Sequence, residues 1–197
     1  MQNVSRETLS RLRAFEALVL KWTPKINLIS KGDQAEIWER HILDSLQVAE
    51  CGSACDHWVD IGSGGGFPGI VVAIYAKEHW PSTRFTFIES DQRKCAFLRT
   101  VIRELELNAS VIAKRIEEVP SQGADVLSAR ALADLSVLMV FADRHLSSSG
   151  IALFQKGASW KKEVEDARKT WSFDCEAVRS RTQDAAVILK VQGVSRD

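Results

Sequence analysis

No net charge is carried by this chain: 26 Lys and Arg residues balance 26 Asp and Glu over 197 positions. That excludes a protein held to nucleic acid by bulk charge, although not one that uses a local basic patch. Nor does any apolar run approach the roughly 20 residues a membrane-spanning helix needs. The opening residues, Met1 to Glu7, lack the basic-then-apolar layout of a signal peptide. The expectation is a soluble, cytoplasmic chain with no membrane partner. Cysteine is sparse: Cys51, Cys55, Cys95 and Cys175 are the full set. Cys51-x-x-x-Cys55-x-His57 has no second close pair to complete the four ligands of structural zinc, so reduced thiols and no metal are expected.

What is present is enough apolar material for one globular domain, 45% of the residues. Leu9, Leu12, Phe15, Val19 and Trp22 recur at steps of three and four, predicting a helix over 5–22 that Thr23-Pro24 ends. After a connector, a second helix is predicted from Asp33, as its N-cap, to Cys51, with Gly52 just past its end. The periods then alternate. Strand-like runs fall at 57–61, 84–89, 109–114, 124–128, 150–155, 171–178 and 185–191, with helical runs at 69–79, 91–107, 134–146 and 158–169. Strand–helix alternation gives an α/β fold with a mostly parallel sheet covered on both faces. The last two strands have no helix between them and should form a C-terminal hairpin that inserts one antiparallel strand at the edge. Residues 1–197 thus read as a single domain, a helical extension over 1–55 followed by a Rossmann-like core over 56–197.

The densest signal is Asp60-Ile61-Gly62-Ser63-Gly64-Gly65-Gly66-Phe67-Pro68-Gly69. A short apolar strand ends in an acid, glycine follows at every second position, and Ile70–Ile74 can continue as a helix. Glycines at Gly62 and Gly64 let a ligand lie against bare main chain, and a strand–loop–helix of this kind is where open α/β sheets bind nucleotides. Asp60-x-Gly62-x-Gly64-x-Gly66 is similar to the loop that S-adenosylmethionine enzymes place after their first strand. A competing frame, Gly64-x-Gly66-x-x-Gly69, formally matches the dinucleotide fingerprint and an NAD-dependent oxidoreductase. There Pro68 removes an N–H that a pyrophosphate needs.

Residues after the later strands carry the rest. Glu89 ends the second strand, about twenty residues beyond the glycines, where an acid accepts ribose hydroxyls. Asp91 lies close by and suits a helix cap. Ile116-Glu117-Glu118-Val119 follows the third strand, either as a cover for an adenine or as a solvated acidic turn. Ser128-Ala129-Arg130-Ala131 follows the fourth, nearest the reacting group in such folds. The Asn/Asp-Pro-Pro-aromatic turn of exocyclic-amine methyltransferases is missing there, and so is the cysteine of the cytosine C5 enzymes. Arg130 instead offers a planar five-donor fork.

Asn27-Leu28-Ile29, Arg40-His41-Ile42-Leu43-Asp44-Ser45-Leu46, the glycine loop through Gly69, Phe97-Leu98, Ser128–Ala131 and Lys156-Gly157 occur in the order of the bacterial ribosomal RNA small subunit methyltransferase G family. The chain resembles that family over nearly its whole length. The resemblance implies the class I S-adenosylmethionine-dependent methyltransferase fold with a seven-stranded sheet. It also implies methylation of N7 of a guanosine in the 530 loop of 16S rRNA, on the small subunit or its assembly intermediate. Position by position it implies cofactor contacts at Gly62, Phe67, Ile116, Glu117 and Arg130, beside Gly64 and Glu89 from the reading above. Glu89-Ser90-Asp91 departs from it in offering two acids near where one is expected.

Guanine N7 carries a lone pair and no proton, so no catalytic base is expected; positioning alone supplies roughly 7–11 kcal/mol. Arg130 is the positioning candidate, gripping either a carboxylate of the cofactor or the incoming guanosine. His41 and Asp44, three apart on one helix face, either bind RNA or hold their helix to the sheet. RNA contacts are expected from Arg6, Arg11 and Arg13, from Arg93, Lys94, Arg99 and Arg103, and from Lys156, Lys161 and Lys162, on a monomer. A methyltransferase for another RNA site or a small molecule, and an assembly factor with a vestigial pocket, are the remaining alternatives.

Overall fold

The computed structural model describes residues 4–30 and 32–196; expectations that touch residues 1–3, Lys31 and Asp197 lie outside it. Seven strands form one sheet in the order β3-β2-β1-β4-β5-β7-β6. They are β1 (His57–Ile61), β2 (Arg84–Glu89), β3 (Ala109–Ala113), β4 (Ala124–Arg130), β5 (Leu146–Lys156), β6 (Trp171–Arg179) and β7 (Val187–Arg196). Strands β1 to β5 pair in parallel, while β7 runs antiparallel to both β5 and β6. The hairpin therefore places its antiparallel strand one position inside the expected edge, and β6 takes the edge. Between β1 and β4 the strand order reverses direction, which leaves a crevice at their C-terminal ends.

Helices cover both faces. On one side, α2 (Asp44–Cys51), α3 (Gly69–His79) and α4 (Gln92–Leu105) pack on the sheet, with α1 (Arg6–Ile26) laid across α3 and α4. Helix α3 is apolar on nearly every side because it lies between α1 and the sheet. On the other side lie α5 (Leu135–His145) and α6 (Trp160–Ala167). The first core gathers Phe15, Trp58, Phe87 and Phe97, all fully buried; the second gathers Val59, Leu127, Met139 and Phe154.

Two helical expectations need correction. Helix α1 does not stop at Thr23-Pro24 but continues to Ile26. Thr23 is buried and its hydroxyl donates to the Val19 carbonyl at 2.7 Å. Pro24 has no N–H to give the carbonyl of Leu20, and Leu20 is exposed, so the lost hydrogen bond falls on the solvent side. The second helix does not begin at Asp33, which lies in a turn and accepts from the Ser30 hydroxyl and the Arg40 guanidinium. It begins instead as a π-helical stretch, Trp38–Leu43, that runs into α2. Such widened turns re-aim side chains, and this one carries His41.

Candidate active site

The crevice begins with the glycine loop. Gly62, Gly64 and Gly66 all have positive φ, at 63°, 52° and 89°. The first two amides after β1 bind back to the neighbouring strand: Gly62 and Ser63 donate to the Ile88 carbonyl at 2.9 and 3.2 Å. Gly64 donates to Glu89 Oε2 at 2.8 Å, and the other carboxylate oxygen of Glu89 accepts from the Asp91 amide at 2.8 Å. Glu89 thus ties the loop to the start of α4. Each of its oxygens keeps a free lone pair for a further donor. Asp91 does the separate job of capping α4, accepting from the Arg93 and Lys94 amides. These hydrogen bonds, the Arg93 side chain foremost, hold its carboxyl below the usual range.

A cavity of about 360 Å³ opens above this loop, and Gly62, Gly64, Glu89, Ile116 and Glu117 line it together. Leu132, Val137 and Phe141 give it an apolar wall and Lys94 a cation. Side chains on the two first glycines would behave differently. A Cβ on Gly62 would stand 2.6 Å from Leu132, whereas on Gly64 the nearest atom is 3.7 Å away and the added group would enter open space. The cavity has the makeup of a nucleoside site: an apolar wall, glycines that leave the backbone bare, and the acids Glu89 and Glu117 among its lining. In the dinucleotide frame the fit is poor. The amides of Gly62, Ser63, Gly64 and Gly66 are spent on internal acceptors, and Pro68 has none to offer.

Asp60 sits beneath the loop, 1% exposed. Burial pushes its carboxyl up to about 6, partly opposed by the Ser128 hydroxyl. That hydroxyl donates to Asp60 Oδ1 at 2.6 Å while accepting from the Trp58 indole at 2.9 Å. The Trp58–Ser128–Asp60 chain locks β1 to β4 below the crevice. Sequence reasoning missed it, although the register that pairs Asp60 with Ser128 follows from the parallel alignment of the two strands.

Two further residues expected at the cofactor, Phe67 and Arg130, the last residue of β4, are not among those that line the glycine-loop cavity. Arg130 instead faces a second cavity, of about 320 Å³, along with His41, Asp44 and Gln155. Its guanidinium donates to His41 Nδ1 at 2.6 Å and lies 5.1 Å over the Phe67 ring. His41 packs against the same ring at 5.0 Å between centroids. Burial first, and then the charge of Arg130, push the imidazole down to about 4, so it is neutral at physiological pH and accepts. Ala131, with φ of 50°, lines both cavities.

Asp44 has a structural task. It is buried and accepts from Gln155 Nε2 and from the Ser180 and Thr182 hydroxyls at 3.0 and 2.9 Å, pinning α2 to the β6–β7 turn. Among the expected RNA contacts, Lys156 is withdrawn from solvent: it pairs with Glu163 at 2.5 Å and donates to the Ala133 carbonyl at 2.8 Å. Arg13 pairs with Glu16 and stacks on Trp38. Arg6, Arg93, Arg99, Arg103, Lys161 and Lys162 are exposed, Arg11 and Lys94 half-buried.

The model of the family described as rRNA small subunit methyltransferase G matches residues 8–187. The ribosomal RNA small subunit methyltransferase G of Ruegeria sp. (strain TM1040) is 56% identical over 194 residues, covering 98% of this chain and 95% of that one. Among solved structures, an S-adenosylmethionine-dependent methyltransferase from Aquifex aeolicus superposes with a TM-score of 0.64 at 13% identity, over 90% of this chain and 98% of that one. M. jannaschii TYW2, solved in complex with S-adenosylmethionine, superposes with a TM-score of 0.62 at 15% identity, over 89% and 80% of the two chains. At such identities the likeness is one of fold, the class I arrangement of a mostly parallel seven-stranded sheet.

Proposed function

Because the chain belongs to the rRNA small subunit methyltransferase G family, we propose that it transfers a methyl group from S-adenosylmethionine to N7 of a guanosine in the 530 loop of 16S rRNA. It acts in the cytoplasm, as a monomer, on the small subunit or an assembly intermediate. The helical extension and the sheet work as one unit, since the π-helical stretch and the start of α2 supply part of the wall of the second cavity. Among the described residues no helix is long and apolar enough to cross a membrane.

Gly62, Gly64, Glu89, Ile116 and Glu117 hold the cofactor in this reading, with Glu89 at the ribose and Ile116 under the base. When bound, the cofactor supplies an electrophilic methyl on a sulfonium. The protein's own part is to orient and to exclude water. Arg130, fixed by His41 and Phe67, sits at the end of β4 and steers the nucleotide that enters beside Ala131.

One observation carries the N7 assignment: the imidazole beside the cofactor cavity is not placed to act as a base. His41 Nδ1 is already occupied by the Arg130 guanidinium, and that imidazole stays neutral down to about pH 4. An acceptor with a lone pair and no proton to lose suits such a site, where an exocyclic amine or a ring carbon does not. The test is to map 7-methylguanosine in 16S rRNA from cells with and without this gene. An identical modification pattern in the two strains overturns the proposal.

A further inference from the structure

One residue lining the second cavity carries a buried polar atom without a partner. Gln155, on β5, is the direct sheet neighbour of Arg130 on β4 and is 8% exposed. Its amide cannot flip. Nε2 donates to Asp44, at 2.5 Å to the carboxylate and 3.4 Å to the backbone carbonyl, and the reverse orientation would aim an oxygen at a carboxylate. The carbonyl oxygen Oε1 is therefore fixed, and among the described residues nothing donates to it. An acceptor left bare in a buried position is costly unless something supplies a donor. His41 Nε2, on the same cavity, likewise makes no hydrogen bond, and its nearest charged group is the Asp33 carboxylate at 3.8 Å. With Nδ1 accepting from Arg130, the ring hydrogen belongs on Nε2. At the rim, a Cβ on Gly157 would meet nothing within 4 Å, so the entrance is open.

An acceptor without a donor, an imidazole N–H without a hydrogen bond and two planar groups for stacking describe a nucleobase pocket. Ala131 lines both this cavity and that of the glycine loop, so the two are neighbours. We propose that this second cavity receives the target guanine, turned out of its strand, with Gln155 Oε1 accepting from the 2-amino group. Among the four RNA bases that amine is unique to guanine, so an acceptor there selects the base without touching N7. The Arg130 and His41 planes lie along the base, and N7 faces the Ala131 side. This rests on the methyl-donor reading of the first cavity. It adds the residue that chooses the base.

The test uses the full chain and small-subunit particles reconstituted with 16S rRNA carrying either guanosine or inosine at the target position. Inosine keeps N7 and lacks only the 2-amino group. With wild-type protein, inosine lowers kcat/KM about tenfold or more. Gln155→Lys keeps a donor toward Asp44 and removes the acceptor. It lowers kcat/KM on guanosine by a similar factor and brings no further loss on inosine. Equal losses from the variant on both substrates, or a wild-type enzyme indifferent to inosine, overturn the proposal. The inosine comparison on wild type decides it alone if the variant misfolds. Calorimetry with S-adenosylmethionine separates the two readings: absence of binding to wild type defeats the methyl-donor assignment, whereas normal binding with no inosine discrimination defeats only the base pocket.

Discussion

The guanidinium of Arg130 donates to Nδ1 of His41 over 2.6 Å, and both planes rest against the ring of Phe67. A long, flexible cation at the end of β4 is thereby held in one orientation by groups from two other parts of the chain, the π-helical stretch and the glycine loop. Arginine suits this place because its planar fork stacks and donates at once.

Arg130→Ala is expected to cut methyl transfer by about a hundredfold, the scale of losing one preorganised donor, with little change in melting temperature. Arg130→Lys recovers part of the rate, since an ammonium keeps the charge and loses the fork. Initial rates on small-subunit particles alongside thermal melts check this. A melting temperature that falls in step with the rate would make Arg130 a structural tie instead.

His41 gives a pH signature. Its folded value, about 4, lies below the ordinary 6.5, so the unfolded chain binds a proton that the folded one refuses. The contribution to stability is complete above about pH 6.5, declines as pH falls, and is lost below about 4. His41→Asn should flatten this part of the stability-against-pH curve. It should also keep more activity than His41→Phe, because an amide oxygen can still accept from Arg130. Denaturant melts from pH 4 to 7 read the first effect, and rates at pH 7.5 the second.

Asp60 has the opposite sign. Burial raises it to about 6, so the folded chain holds a proton more tightly than the unfolded one, and its contribution weakens as pH rises from about 4 through 6. Wild type minus Asp60→Asn stability should therefore shift in favour of the Asn variant over that interval. A constant difference across it would show that Asp60 is not the titrating group.

At the loop, Glu89→Ala removes the acceptor of two backbone amides and should weaken S-adenosylmethionine binding at least about tenfold. Asp91→Ala removes a helix cap and should lower the melting temperature with cofactor affinity retained. Calorimetry and melts on the two variants separate the roles; a larger affinity loss in Asp91→Ala reverses them.

Gly64→Val is expected to abolish detectable cofactor binding while the fold survives. Its side chain points into open cavity rather than into protein, although its φ of 52° adds local strain. Unchanged affinity by calorimetry would sink the assignment of this loop.

Much of this was legible in the sequence. The strands were read from their apolar runs, and the glycine loop, Glu89 and Ile116-Glu117 meet around one cavity because each follows a strand end on the same edge of the sheet. What stayed hidden depends on contacts distant in sequence. Pro24 is tolerated because the buried stripe of α1 continues to Thr23, and packing overrides a local breaker. The π-helical stretch leaves no signature in the residues Trp38–Leu43. His41 and Gln155 join Arg130 only through tertiary placement, 89 positions away in one case and by strand register in the other. Arg130, which the family pattern places at the cofactor, lines the neighbouring cavity, and Phe67 is buried against it.

The two cavities share Ala131 in their linings. For inhibitor chemistry that adjacency is an opening. An adenosine-like fragment in one chamber and a purine fragment in the other could be joined by a short tether. Joining two weak binders in this way raises the local concentration of the second into the millimolar range and tightens the pair by roughly 10²–10⁴-fold. Such a compound would owe its selectivity to the distance between the chambers, a dimension that neither fragment senses alone.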